Sequence, residues 1–318
     1  MNNINSDIIK LDVNFPFDLQ LTAGSSNYNG LDHIDPDTDE FIHKRAILPA
    51  SYMEPILVEL RQKIQSPFSP VSCSILTGPT DSDSKYLIKR KIEWLLGMDQ
   101  NIQGFYDICA TDGVMTQVIA SHLGFHNTRS TDLYESLIIS VLGQQISNKV
   151  AIVIRKGFTQ SLGSSIQYQG ESYWTYPDPQ KISNSSIEEL RQLKLSGRKA
   201  EYVQNIANAE LEGYLRLSNF DQLDNQESIK YLCEIKGVGR WTAQWSISRG
   251  IGRPDIFPEG DLVLNKLIAE HYLDTSQIDL NAINTYAEKW KPYRTTASGY
   301  LYKILTTPDL ASSPSKLV

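Results

Sequence analysis

Residues 232–261 constrain the fold more than any other stretch of the chain. Apolar positions end one short helix, Gly237 and Gly239 mark a tight turn, and Trp241 and Trp245 follow in a second helical segment. This pattern is typical of a helix-hairpin-helix. Such a hairpin directs free backbone N–H groups and the positive end of a helix dipole toward one point, which suits an anion such as a nucleic-acid phosphate.

A single carboxylate, Asp261, follows the hairpin after a loop rich in Gly and Pro and opens a new segment with apolar residues at helical spacing. Two interpretations fit this position. An aspartate that follows a glycine is a favoured helix N-cap, and this role alone would explain the residue. Alternatively, a carboxylate that the helix dipole and backbone amides keep in its charged form stabilises a cationic transition state on DNA.

Length and charge limit the kinds of partner. A chain of 318 residues with 41% hydrophobic and 21% charged residues is typical of a globular protein of two or three domains. The formal net charge of -7 has the wrong sign for a broad basic surface that binds DNA. If DNA is the partner, contact must rely on backbone amides and a few local cations.

The cysteines and the hydropathy pattern predict a cytoplasmic protein. Cys73, Cys109 and Cys233 are scattered without a CxxC pair, as reduced thiols of a cytosolic protein are. The polar N-terminus lacks the features of a signal peptide, and no apolar run has the length of a membrane span. We therefore expect a soluble protein without a membrane partner.

The spacing of apolar residues predicts an α+β N-terminal domain over residues 1–104, with a small antiparallel sheet and helices. Strands are predicted at 17–22, 41–48, 55–60 and 71–76, followed by a helix at 85–96. Residues 105–306 are predicted to be mainly helical, in two subdomains, and residues 307–318 to form a disordered tail.

Several helix starts carry recognisable capping signals. Glutamates stand three residues after Asp132 and after Ser186, which is the spacing of a capping box, and Ser147 is placed to cap a further helix. Gln144 and Gln145 lie at the break between two of these helices, where a solvated turn is the simplest interpretation. Residues 173–179, which are rich in aromatics and Pro, are predicted to be a loop. Arg198 and Lys199 begin another helix and either contact phosphate or form a solvated face.

The sequence Gly-Val-Gly-Arg-Trp-Thr-Ala at 237–243, followed by Phe-Pro-Glu-Gly-Asp-Leu at 257–262, resembles the helix-hairpin-helix DNA glycosylase superfamily, and specifically its 3-methyladenine DNA glycosylase II (AlkA) type. The likeness extends to residues 142–147, 195–201 and 286–294. It is strong over residues 130–305, whereas the N-terminal part is similar only in length and strand-rich character.

The resemblance implies a role for each matching position. Asp261 corresponds to the catalytic aspartate, and Trp241, Trp245 and Tyr302 to aromatic residues of the base pocket. The backbone amides of Gly237, Gly239 and Thr242 correspond to those that hold a DNA phosphate, and the carbonyls of Cys233, Ile235 and Val238 to those that hold a monovalent cation, Na or K. Gln145, with Gln144 beside it, stands where the family inserts an apolar wedge into the base stack, and Leu262 replaces an aromatic residue of the type member.

The chemistry implied by the resemblance is hydrolysis of an N-glycosidic bond. The enzyme flips a damaged nucleotide out of the duplex, and electron-rich indole faces attract the positive ring of 3-methyladenine or 7-methylguanine. Asp261 then stabilises oxocarbenium character at the sugar.

Trp241 stands where family members that also cleave the backbone carry a Schiff-base lysine, so we expect a monofunctional enzyme without lyase activity. No cysteine follows Cys233, so we expect no iron-sulfur cluster, and no cofactor apart from the cation.

Three functions remain open from the sequence. The first is a base-excision repair glycosylase for alkylated purines, acting as a monomer on double-stranded DNA that contains damaged bases. The second is a glycosylase of the same fold for another damaged base. The third is a non-catalytic DNA-binding protein that kept the hairpin, against which the presence of Asp261 argues.

Overall fold

The structure is a computed structural model that describes residues 8–24, 30–49, 52 and 54–311. The strands are β1 (Ile8–Lys10), β2 (Gly30–Asp35), β3 (Glu40–Ile47), β4 (Ile56–Lys63), β5 (Ser72–Thr77), β6 (Ser165–Tyr168) and β7 (Glu171–Trp174). The helices before the hairpin are α1 (Leu19–Ala23), α2 (Ser82–Leu95), α3 (Ile102–Ile108), α4 (Gly113–Ser121), α5 (Leu133–Gly143), α6 (Asn148–Leu162), α7 (Pro179–Asn184), α8 (Ile187–Gln192) and α9 (Gly197–Leu211). The later helices are α10 (Asn225–Leu232), α11 (Arg240–Ser246), α12 (Leu262–Tyr272), α13 (Leu280–Ala287), α14 (Arg294–Lys303) and α15 (Pro308–Ala311).

The N-terminal part is built around an antiparallel sheet with the strand order β1-β5-β4-β3-β2. The predicted small antiparallel sheet is therefore confirmed, although the sequence analysis missed β1 and β2. The strand predicted at 17–22 was wrong, because residues 19–23 form the short helix α1. Asp18 caps this helix by accepting a hydrogen bond from the Leu21 N–H, and Gln62 Oε1 on β4 accepts one from the Leu19 N–H.

Within the described residues, the helical region has two hydrophobic cores, and the chain does not build them one after the other. One core, here called the inner core, is formed by buried residues between Leu133 and Ile256. The other, the return core, combines residues 102–125 with residues 257–304. Helix α3, which crosses the predicted boundary at residue 104, belongs to the return core.

A β-hairpin interrupts the helical region, contrary to the prediction of a loop that starts at residue 173. Strands β6 and β7 pair through a turn in which Gln169 and Gly170 both have positive φ, as a type I′ hairpin turn requires. Tyr173 on β7 is buried against Ala46 and Leu57 of the N-terminal sheet. The hairpin therefore packs the helical region onto the sheet.

The capping predictions are largely confirmed. Ser186 and Glu189 form a complete capping box at α8, and Ser147 caps α6. Asp132 caps α5, but the Glu135 carboxylate accepts from the N–H of Thr131 instead of closing the box on Asp132. The predicted disordered tail begins with the helix α15, so the prediction does not hold for residues 308–311, and residues 312–318 lie outside the described residues. Among the described helices, none is long and apolar enough to span a bilayer.

Candidate active site

Asp261 is the N-cap of α12, as the simpler interpretation of its position predicted. Its Oδ1 accepts hydrogen bonds from the backbone N–H groups of Val263 and Leu264, both at 3.1 Å. The side chain lies at the start of the return core, and the residue is only 5% exposed. These bonds alone would make Asp261 an ordinary helix cap.

Three aromatic side chains bond the same carboxylate. The Tyr302 hydroxyl donates to Oδ1 at 2.8 Å, and the indole Nε1 atoms of Trp241 and Trp245 donate to Oδ2 at 2.9 Å and 3.2 Å. Trp241 and Trp245 lie on α11, whereas Tyr302 lies on α14. We call these four residues the Asp261 cluster. Trp241 and Tyr302, which are 61 positions apart in the sequence, thus bond the same carboxylate. All five of its hydrogen-bond donors, three from aromatic side chains and two from backbone N–H groups, are electrically neutral.

The environment of Tyr302 keeps its hydroxyl protonated. Burial, followed by the neighbouring Asp261 carboxylate, raises the pKa of Tyr302 well above its usual value, and the positive charge of Arg249 acts in the opposite direction. A protonated hydroxyl donates to Asp261 over the whole neutral pH range.

Trp245 connects the Asp261 cluster to a cavity of about 330 Å³. This volume lies at the lower end of the range for small-molecule sites. Asn127 and Thr296 contribute polar groups to its lining, and Arg249 lies beside Trp245 in the same wall. Trp245 is the member of the Asp261 cluster that lines this cavity, and Arg249 is a lining residue that the sequence analysis did not assign. Its position four residues after Trp245 was the available signal.

The hairpin turn, residues 233–239, places its two glycines in different environments. Gly237 has φ +104°, and a Cβ at this position would lie 2.2 Å from the ring of Tyr202. Gly239 is the N-cap of α11 without a side-chain capping bond, and a Cβ built on it would meet nothing within 4 Å. The start of α11 is therefore sterically open.

A groove of about 450 Å³ lies over this open helix start. Cationic side chains on its wall include Arg198, Lys199 and Lys236. Lys199 Nζ donates to the Leu142 carbonyl at 2.9 Å, and burial lowers its pKa. The Lys236 Nζ atom lies 3.3 Å from the Glu201 Oε2 atom, so these two side chains form an ion pair. Local cations thus accompany the hairpin amides in a chain with net negative charge.

The three residues implied as cation ligands, Cys233, Ile235 and Val238, all line this groove. The Ile235 carbonyl accepts a turn hydrogen bond from the Val238 N–H at 3.0 Å, and a carbonyl oxygen has a second lone pair. Main-chain carbonyls are ligands that suit Na and K ions. The donor set therefore fits a monovalent cation.

The adjacent glutamines occupy different positions. Gln144 Nε2 donates to Thr242 Oγ1 at 2.9 Å and to the Gly237 carbonyl at 3.3 Å, so this side chain ties the end of α5 to the hairpin. Gln145 is exposed, with φ +57°, which is uncommon for a residue other than Gly. Of the two, only Gln145 projects from the surface, whereas Gln144 holds the hairpin in place.

Arginines fix the loop between the hairpin and Asp261. Arg294 donates two hydrogen bonds to the Asp255 carboxylate, at 2.6 Å and 2.8 Å. Arg240, the first residue of α11, makes a similar two-bond contact with Glu259. The sequence analysis did not assign these contacts, which tie the loop to the starts of α14 and α11.

Known proteins share this architecture. The model of the HhH-GPD superfamily of base excision DNA repair proteins matches residues 138–293, which include the hairpin and Asp261. A DNA-3-methyladenine glycosylase of Bacillus subtilis (strain 168) is 27% identical over 219 residues, which cover 69% of this chain and 72% of that protein.

Two solved structures extend the comparison. The 3-methyladenine DNA-glycosylase from Archaeoglobus fulgidus has a TM-score of 0.77 at 22% identity, over 97% of this chain and 99% of that chain, and it supports the fold alone. The 3-methyladenine DNA glycosylase of Schizosaccharomyces pombe in complex with abasic DNA has a TM-score of 0.55 at 26% identity, over 65% of this chain and 98% of that one.

Proposed function

We propose that the chain is a member of the HhH-GPD superfamily of base excision DNA repair proteins and acts as a monofunctional DNA glycosylase that removes alkylated purines from duplex DNA. The observation that carries this proposal is the Asp261 cluster, in which two indoles and a phenol bond one buried carboxylate. Relatives named as DNA-3-methyladenine glycosylases support the substrate class.

The hairpin holds the DNA backbone. A phosphate approaches the open start of α11, where the amides near Gly239 and Thr242 and the helix dipole stabilise its charge. The carbonyls of Cys233, Ile235 and Val238, which line the same groove, would hold a monovalent cation, and its charge would favour the phosphate. The partner is therefore double-stranded DNA, held by few contacts.

Gln145 fills the gap that a flipped nucleotide leaves in the base stack. Its exposed side chain and left-handed backbone support this role. Flipping costs a few kcal/mol, and less for a damaged pair, so the enzyme gains selectivity from lesions that weaken pairing. Gln144 keeps the wedge turn and the hairpin in a fixed relation through Thr242 and Gly237.

The flipped base is recognised by the indoles of Trp241 and Trp245, beside the cavity that Trp245 lines. Alkylation at N3 or N7 gives the purine a positive charge, and the π face of tryptophan attracts cations. Once the glycosidic bond has broken, this base leaves as a neutral molecule, so no residue needs to protonate it.

Asp261 stabilises the sugar as the bond breaks. The electron pair of the C1′–N bond goes to the base, and oxocarbenium character develops at the sugar. A water molecule then adds to C1′ through its oxygen and releases one proton to solvent. Five neutral donors hold the carboxylate in one orientation without cancelling its charge. A fixed anion of this kind stabilises the transition state without reorganising during the reaction.

Chromatography of the bases released from methylated DNA tests the proposal. The intact chain should release 3-methyladenine or 7-methylguanine, and Asp261→Asn should lower the rate by about 1000-fold while DNA binding persists, since Asn is also a good N-cap. Asp279→Asn is the matched control, because Asp279 caps α13 through two backbone amides on an exposed surface. DNA binding without release of any base would favour the non-catalytic alternative.

Trapping with borohydride tests the absence of lyase activity. Trp241 has no amine that forms a Schiff base, so reduction during turnover should leave no covalent protein-DNA adduct. A glycosylase of this superfamily with a lysine at the corresponding position is the positive control. A trapped adduct with the present chain would contradict the monofunctional assignment.

A further inference from the structure

The carboxyl end of α5 leads directly into the turn that carries Gln145. All residues of this helix from Leu133 to Leu142 are buried, so water has little access to the carbonyl groups that a helix end leaves without partners. The helix dipole also makes this end negative. The end of α5 therefore requires hydrogen-bond donors from neighbouring elements, and cationic donors suit it best.

Two cationic side chains supply these donors. Lys199 Nζ, from the first turn of α9, donates to the Leu142 carbonyl at 2.9 Å, and Arg155 Nη2, from α6, donates to the Ile139 carbonyl at 3.1 Å. A Cβ built on Gly143 would lie 2.6 Å from Arg155 Nη2, so the guanidinium lies directly against the last residue of the helix. We call Lys199 and Arg155 the α5 clamp.

The α5 clamp brings two like charges together in a partly buried place. Burial, followed by the positive charge of Arg155, lowers the pKa of Lys199. Within the part of the chain that the structure describes, Arg155 Nε is buried without a hydrogen-bond partner. Both features oppose folding, and local conflicts of this kind are expected at functional sites.

The turn beyond the α5 clamp is held from both sides. Lys199 fixes Leu142 before the turn, and the Gln144 side chain bonds Thr242 and the Gly237 carbonyl on the hairpin. Gln145 follows with φ +57°, a strained conformation that persists only where neighbouring contacts enforce it. These contacts therefore determine where the exposed side chain of Gln145 stands.

We propose that Lys199, together with Arg155, is a positioning residue for nucleotide flipping, which holds the end of α5 so that Gln145 enters the base stack. The inference rests on the proposed glycosylase function and on Gln145 as the wedge. Without the cation, the Leu142 carbonyl loses its partner and the turn relaxes. The affected step is flipping, which duplex DNA requires and single-stranded DNA does not.

The first test compares the release of 7-methylguanine from a duplex and from the same single strand, as single-turnover rates at saturating protein. Lys199→Met removes the charge but keeps an unbranched side chain, and the duplex rate should fall about tenfold relative to the single-strand rate. Lys199→Arg keeps a cationic donor and should keep this ratio within about twofold of wild type. Equal losses on both forms of DNA in Lys199→Met would overturn the inference.

Lys236→Met is the matched control for the groove. Lys236 lines the same groove as Lys199 but pairs with Glu201 instead of α5. This variant should bind both forms of DNA more weakly and leave the ratio of the saturated rates as it is in wild type. A ratio that falls as far as in Lys199→Met would mean that groove charge alone explains the effect.

Gly143→Ala reaches the α5 clamp by a second route. Its methyl group displaces the Arg155 guanidinium and leaves Lys199 in place. This variant should show the same selective loss of release from duplex, and it keeps the inference testable if Lys199→Met does not fold. A normal ratio of rates in Gly143→Ala would remove Arg155 from the proposal.

The last test follows wedge insertion without catalysis. A duplex that carries 2-aminopurine beside a tetrahydrofuran abasic analogue changes its fluorescence when a side chain enters the gap. Lys199→Met and Gln145→Gly should each lose most of this change, and the double variant should lose no more than Gln145→Gly alone, because Lys199 acts through Gln145. Additive losses would contradict this route.

The two readouts separate the failure of this inference from the failure of the proposed function. If the fluorescence follows the α5 clamp but no duplex releases a base, the glycosylase proposal fails while the positioning role of Lys199 stands. If bases are released and neither the rate ratio nor the fluorescence responds to Lys199→Met, the role of Lys199 fails alone.

Discussion

The hairpin turn and the Asp261 cluster both involve α11 but treat their polar groups in opposite ways, and we call them the open end and the closed end of the site. At the hairpin, Gly239 leaves the helix start without a side-chain cap, and space above it is open. At the cluster, the Asp261 carboxylate already has five hydrogen-bond donors and is only 5% exposed. One end offers donors to an incoming anion, whereas the other has fixed an anion of its own.

The difference follows from what each end does in the proposed reaction. A phosphate brings its own charge, so the protein needs to supply only unoccupied amides and helix dipole. The cation at the sugar exists only briefly, so the anion that stabilises it must be oriented beforehand. Because Trp241 and Trp245 lie on the helix that Gly239 begins, a single helix would set the distance between the proposed phosphate site and the carboxylate.

The largest effect on stability is expected at the closed end. Asp261→Ala removes an N-cap and leaves the donors of Trp241, Trp245 and Tyr302 without their acceptor, so the free energy of unfolding should fall by about 4 kcal/mol. Asp279→Ala, which removes an exposed cap only, should cost about 1 kcal/mol. Urea unfolding measures both. Equal losses would mean that the aromatic donors add nothing.

The glycine pair tests the open end. Gly237→Ala forces a methyl group against Tyr202 at positive φ and should destabilise the fold by about 3 kcal/mol. Gly239→Ala meets open space at an ordinary φ of -90°, so it should cost less than about 1 kcal/mol. Its methyl group would instead obstruct a phosphate, and affinity for undamaged duplex should fall about tenfold. If Gly239→Ala binds undamaged duplex with unchanged affinity, no DNA phosphate binds at this helix start.

The sequence predicted the members of the site better than their contacts. Local signals such as a glycine-punctuated turn and an aspartate before a helix located Gly239 and Asp261, because such signals depend on backbone geometry over a few residues. The hydrogen bonds from Trp241 and Tyr302 to one carboxylate depend on how α11 meets α14. The spacing of four residues relates Arg249 to Trp245, but the π-turn that carries its guanidinium over the indole is seen only in the structure.

The sequence predicted secondary structure correctly where the apolar periodicity is strong. It failed where contacts between distant segments determine the local structure. The strands β3, β4 and β5 were located within two or three residues, whereas the alternation at 17–22 belongs to a short capped helix. The β6-β7 hairpin is stable because Tyr173 packs on Ala46 and Leu57, a contact between distant segments. The same applies to the return core, which unites residues on both sides of the inner core.

Tyr302 links the closed end to pH. Burial and the Asp261 carboxylate raise the folded-state pKa of Tyr302, so the folded protein holds the phenol proton more tightly than the unfolded chain does. The contribution of this proton to the free energy of unfolding is fully present below the unfolded pKa of about 10 and is lost as the pH rises toward the folded pKa. Tyr302→Phe should lower the free energy of unfolding by about 2 kcal/mol at pH 8, because a hydrogen bond to a carboxylate is lost. The gap between wild type and variant should narrow above pH 10, and urea unfolding at pH 8 and 10.5 checks this. A gap that widens would contradict the direction of the shift.

The smallest effect, and the sharpest separation of stability from function, is expected at Gln145. Its φ of +57° strains the backbone, so Gln145→Gly should raise the free energy of unfolding by about 0.5 kcal/mol. The same change removes the exposed side chain that we propose fills the base stack, and base release from duplex should fall about tenfold while release from single-stranded DNA is unchanged. Gln144→Ala is the neighbouring control, since it loses the bonds to Thr242 and Gly237 and should cost about 1 kcal/mol. If Gln145→Gly slows release equally from both forms of DNA, the residue acts on the catalytic step and is not a wedge.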